Sequence, residues 1–137
     1  MNENAQSYEV RMEKTILKIQ KAYLVLSILI TLGSVRYLFM PLNIGEVSRY
    51  PLFLLAYVSI YFGLKRRSYW VIPWVLICSA SFCFRYLIAS LQPAESGIEI
   101  LTKILSFILF FFFAYQISFF SKSKVRNIFN AKGRFIF

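Results

Sequence analysis

Four long apolar stretches in this chain are separated by connections that are alternately rich and poor in basic charge. A helix needs about 20 mainly apolar residues to cross a hydrocarbon layer roughly 30 Å thick. Inside lipid every backbone N–H and C=O must be satisfied within the segment, so such runs fold as helices. The pattern predicts an all-α membrane protein: a four-transmembrane-helix bundle, up-down-up-down, with both termini cytoplasmic. Spans are expected at about 22–40, 47–64, 69–91 and 98–120. A cytoplasmic amphipathic segment at 1–21 precedes them, and a basic cytoplasmic tail at 121–137 follows. Hydrophobic residues make up 58% of the 137, against about 45–50% in a soluble domain. The spans use most of the chain and leave no room for a separate soluble domain. No small-residue cleavage motif follows the first run, which reads as a retained signal-anchor.

Orientation follows from the distribution of Lys and Arg, which concentrate in cytoplasmic loops. The N-terminal segment carries Arg11, Lys14, Lys18 and Lys21; the middle loop carries Lys65, Arg66 and Arg67. The tail carries Lys122, Lys124, Arg126, Lys132 and Arg134. The remaining four cations, Arg36, Arg49, Arg85 and Lys103, lie near the other two connections, together with Glu46, Glu95 and Glu99. Both ends and the middle loop are therefore expected on the cytoplasmic side of a plasma membrane, a bacterial inner membrane being the natural setting. The net charge of +10 is better explained by topology and anionic lipid headgroups than by nucleic acid, because no nucleic-acid-reading motif accompanies it.

Absent residues limit the chemistry. The chain has no His, and all six acidic residues are Glu. There is no imidazole base, no Ser–His pair and no ordinary transition-metal ligand set. No carboxylate falls inside an uncharged segment, so the usual intramembrane proton relay is missing as well. Neither a phosphate-binding Gly-rich loop nor a nucleophile elbow occurs. An enzyme is not expected, and no cofactor or metal. Cys78 and Cys83, five residues apart on one helix, point to different faces and read as small packing residues rather than a disulfide.

Residues 8–21 have helical amphipathicity. Met12, Ile16, Ile19 and Tyr23 share one stripe, with the four cations on the other side. Such a segment lies on a membrane surface, packs on a partner, or simply extends the first span. Pro41 stops span 1, Pro51 and Pro73 fall in first turns, and Gln92–Gly97 reads as a turn. Arg36-Tyr37-Leu38 recurs as Arg85-Tyr86-Leu87. That would make the two hairpins parallel repeats, with chance as a rival explanation because Leu and Tyr are abundant.

The candidate site residues fall in three groups. Arg36, Arg49, Arg85, Glu46, Glu95 and Glu99 form a candidate external charged cluster. Arg36 is about 7–8 Å from its helix end and can snorkel, whereas Arg85 is about 12 Å deep. Arg85 is expected to pair with Glu95 or Glu99, either to pin the second hairpin or to form part of a ligand site. Cys78, Ser81 and Arg85 share a polar stripe on span 3, suited to helix packing or to lining a path. Lys122, Lys124, Arg126, Lys132 and Arg134 form a lipid-surface basic group. Small-residue seams occur at Ser27, Thr31 and Ser34, and at Ala56, Ser59 and Gly63. The functional expectation is a non-catalytic, intramembrane protein–protein interaction protein, either an accessory subunit or an immunity-type protein. The alternative is a homo-oligomeric small transporter or anion-favouring channel lined by span 3.

Overall fold

The computed structural model describes residues 3–35, 49–93 and 96–132. They form five α-helices and no strand: α1 (Glu3–Val35), α2 (Arg49–Arg66), α3 (Val71–Leu91), α4 (Gly97–Phe120) and α5 (Ser123–Lys132). Two compact units result, one built on α1, α2 and the turn to Val71, the other running from Ile72 to Ala131 on α3, α4 and α5.

The expected amphipathic segment and the first span are one helix. α1 runs for 33 residues, about 50 Å at 1.5 Å per residue. No proline interrupts it, and its first glycine is Gly33. The change from mixed to apolar composition near Ala22 alters the surface of α1 but does not break its backbone. The predicted stripe is buried: Met12, Ile16, Ile19 and Tyr23 are all at most 5% exposed.

α2 runs antiparallel to α1. The Tyr23 and Tyr57 rings meet edge-on at 5.6 Å, and Glu13 acts electrostatically on Arg67, just beyond the end of α2. Going down α1 from Tyr23 therefore means going up α2 from Tyr57. In this register the buried stripe of α1 lies opposite Tyr57, Ile60 and Leu64, which are buried as well.

The α2–α3 turn is a Schellman closure. Ser68 N–H donates to Gly63 O at 3.0 Å, and Arg67 N–H to Leu64 O at 3.3 Å. These bonds satisfy two carbonyls that the helix end would otherwise leave open. The closure needs a left-handed residue, and Arg67 supplies it with φ 54°. For a residue with a Cβ this costs about 1 kcal/mol. One contact offsets part of that cost: the Arg67 guanidinium donates to Leu64 O. Partial burial pushes the Arg67 pKa below its ordinary value, and Glu13 opposes the shift.

Gly63 allows the chain to fold back this tightly. A Cβ at Gly63 would lie 2.6 Å from Val71 Cγ2 and 2.8 Å from Val71 Cβ. The seam expected along Ala56, Ser59 and Gly63 is therefore filled at Gly63 by Val71 and Trp70 of the same chain. α3 begins at Val71 rather than at Tyr69, because Tyr69 and Trp70 are taken up by the turn.

In the second unit, Ser96 caps α4. Glu99 N–H donates to Ser96 Oγ at 3.3 Å, and Ser96 N–H donates to Glu99 Oε2 at 3.1 Å. This reciprocal capping box satisfies two orphan donors and places a carboxylate at the positive end of the helix. At the other end of α4, a turn at Ser121 and Lys122 leads into α5. The apolar side of α5 is turned inward: Val125 and Phe129 are fully buried, and the Phe129 ring meets Phe120 at 6.3 Å.

Among the described residues three helices are long and apolar enough to cross a membrane: α1 over Ser7–Val35, α3 and α4. α4 is the most apolar of them and the least buried. Only 11% of its most apolar stretch is buried, against 33% for α3 and 22% for α1. Leu101, Leu105, Ile108 and Phe111 are all more than half exposed. Water would oppose that arrangement strongly, whereas lipid carries no such penalty. α2 does not belong to this group. It has 18 residues with Arg49, Lys65 and Arg66 at its ends, and its uncharged part, Tyr50 to Leu64, spans about 22 Å.

Candidate functional site

A hydroxyl in lipid needs an acceptor, and the nearest is usually the carbonyl one turn back on its own helix. Ser27, Thr31 and Ser34 follow this rule, donating to Tyr23 O, Ser27 O and Ile30 O at 2.7–2.8 Å. Ser81 donates to Ile77 O at 3.0 Å. Ser90 and Thr102 also bond within their own helices. The seam of small polar residues on α1 therefore spends its donors locally.

Ser79 behaves differently. Its hydroxyl crosses from α3 to α4 and donates to Gln116 Oε1 at 3.3 Å, with both residues completely buried. One turn further along, Phe82 meets Phe113 at 5.1 Å. Tyr86 stacks on the same Phe113 ring at 5.8 Å with the planes 3° apart. Cys83, half-buried, places its Sγ 4.0 Å from Phe110 O. As residue numbers rise on α3 they fall on α4, so the hairpin is antiparallel. Its seam is one polar pair followed by an aromatic sandwich.

Compared with protein-family models, with curated proteins and with solved structures, the chain matches none of them. Its function must be read from its own residues.

The polar stripe expected on span 3 does not share one environment. Cys78 is buried, while Ser81 and Arg85 are exposed. Ser79, on the adjoining face, is completely buried. Of the candidate external cluster, Arg36, Glu46 and Glu95 lie outside the described residues. Arg49 opens α2. The Glu99 carboxylate accepts the Ser96 N–H. Arg85 sits two residues nearer the loop than Cys83, which is level with Phe110. That places Arg85 roughly 13 Å along the helix axis from Glu99. In the basic tail, Lys122, Lys124 and Arg126 are exposed, Lys132 ends α5, and Arg134 lies outside the described residues.

Two features were visible in the sequence but not recognised in it. Ser96-x-x-Glu99 ahead of an apolar run is the capping-box signature. Gln116, an amide in the most apolar helix, signalled that a partner would be found. Among the described residues no group of three or more His, Cys, Asp or Glu side chains could hold a metal. Cys78 and Cys83 are both free thiols. The arrangement is suited to holding helices in register.

Replacing Gln116 by leucine is expected to weaken the α3–α4 hairpin by about 1 kcal/mol, the usual scale of an interhelical hydrogen bond in lipid. Ser79→Ala should cost little more once Gln116 is gone. A double-mutant cycle on reversible unfolding in mixed micelles reads this coupling, and strictly additive losses would show that the pair contributes nothing.

Proposed function

We propose that this chain crosses a plasma membrane four times, with both ends and the α2–α3 turn cytoplasmic. It acts without catalytic chemistry, by intramembrane contact with another membrane protein, as an accessory subunit or an immunity-type protein. The observation that carries this reading is the bare, apolar face of α4. The most apolar helix buries the least of itself and offers a continuous surface of Leu101, Leu105, Ile108 and Phe111.

The fourth crossing is supported by the α1–α2 register. The first half of α2, up to Tyr57, lies along the apolar part of α1, so a bilayer that holds α1 also surrounds that half of α2. The short uncharged stretch of α2 is then accommodated by snorkelling cations or local thinning. The reading against a transport path rests on the hydroxyls, which donate to their own helices and leave no row of free donors along α1.

The test combines labelling and cross-linking in native membranes. In a background with Cys78→Ala and Cys83→Ala, single cysteines at Ser7 and Asn130 should react with an impermeant thiol reagent only after the cells are opened. A photo-reactive residue at Leu105 should give one discrete protein adduct. Labelling of either site in intact cells would overturn the topology. Adducts to lipid alone, together with ion flux through the purified protein in liposomes, would favour an oligomeric channel instead.

A further inference from the structure

The N-terminal half of α1 carries a row of cations that its packing cannot hide. Arg11, Lys14, Lys18 and Lys21 recur at intervals of three and four residues, so they line one face. All four are exposed. The opposite stripe, Met12 through Tyr23, is buried, so α1 cannot roll to cover them. The row climbs about 15 Å along the axis.

The same face then turns apolar without a break. Val25, Ile28 and Leu32 continue the line on the same continuous helix and are 53%, 51% and 63% exposed. A ligand lying on this face meets cations over one stretch and hydrocarbon over the next. The row's four cations outnumber the two acids described on the same stretch of helix, Glu9 and Glu13. Glu9 sits roughly 140° around the helix from Lys14, and Glu13 acts on Arg67. Lys65 and Arg66, exposed at the end of α2, are level with Lys14 in the antiparallel register and add to the charge.

We infer that this face of α1 binds an anionic phospholipid, its phosphate headgroup on Lys14, Lys18 and Lys21 and an acyl chain along Val25, Ile28 and Leu32. The inference rests on the membrane reading above and gives one of its lipid contacts a specific place. An acidic protein would satisfy the cations but leave the apolar continuation unmatched. A single phospholipid is complementary to both parts, at the depth where headgroup gives way to chain.

Spin-labelled phosphatidylglycerol and phosphatidylcholine, each added to vesicles containing the full-length protein, report how much of each lipid is immobilised on its surface. The wild-type protein is expected to prefer phosphatidylglycerol by about fivefold or more at low salt, the scale of one well-placed cation, with the preference falling as salt rises. Lys14→Gln/Lys18→Gln/Lys21→Gln should reduce the preference to about twofold or less. Lys14→Arg/Lys18→Arg/Lys21→Arg should keep it, and Lys122→Gln/Lys124→Gln/Arg126→Gln should lower it less than the α1 glutamine variant does. No preference in the wild type, an unchanged preference in the α1 glutamine variant, or an equal loss in the α5 variant would overturn the site. A chain that inserts but shows no preference refutes this inference alone. A chain that stays in solution without detergent refutes the membrane reading with it.

Discussion

Gly63→Ala is expected to destabilise the α1–α2 unit by about 1–3 kcal/mol, the range for forcing an extra carbon into a packed site. The added Cβ would approach Val71 Cγ2 to 2.6 Å and Val71 Cβ to 2.8 Å. Rotating Val71 could move Cγ2, but Cβ is fixed to the backbone. Relief therefore requires α2 and the start of α3 to separate, which strains the Schellman closure at Arg67. Gly33→Ala is the control of opposite sign. Nothing lies within 4 Å of the Cβ it would add, and a helix-interior alanine gains about 0.5–1 kcal/mol over glycine. Unfolding in mixed micelles, followed by far-UV circular dichroism, distinguishes the two. Equal effects would show that the tight return at Gly63 is not a real constraint.

Phe113→Ala should have the larger effect, about 3 kcal/mol. Phe113 is completely buried, with Phe82 at 5.1 Å and Tyr86 stacked at 5.8 Å. Truncating a buried phenylalanine in a soluble core costs about 3–5 kcal/mol. The lower end applies here because lipid tails are as apolar as the side chain, so the loss is mainly one of packing contacts. Phe111→Ala, two residues earlier and 56% exposed, should cost less than about 0.5 kcal/mol. The same unfolding assay separates them. A similar loss at both positions would mean that the α3–α4 seam does not lie where Phe113 places it.

The contrast between these two phenylalanines shows what could be read from the chain in advance. The run at residues 110–113 puts aromatic rings all around α4, and periodicity alone cannot select the one that packs. Ser79 and Gln116 pose the same problem. Each was visible as a polar residue in an apolar helix, but their separation of 37 positions is bridged only by the hairpin register. The stripe on α1 was legible because its apolar residues repeat with the helical period, whereas the helix that buries it could not be named. Conversely, the capping box at Ser96 and Glu99 is purely local and required no tertiary knowledge.

Composition and spacing alone determined that the chain is helical, that long apolar runs dominate it, and that histidine- and aspartate-based chemistry is closed to it. Those properties depend on residue type and on neighbours within a turn or two, so they travel with the sequence. Tertiary structure decided that α2 packs along the buried stripe of α1. It also decided that Arg67 takes the left-handed position, that Gly63 is filled by its own chain, and that Gln116 meets Ser79. These outcomes depend on which surfaces meet across long sequence separations, and that is settled by steric fit and by the satisfaction of buried polar groups.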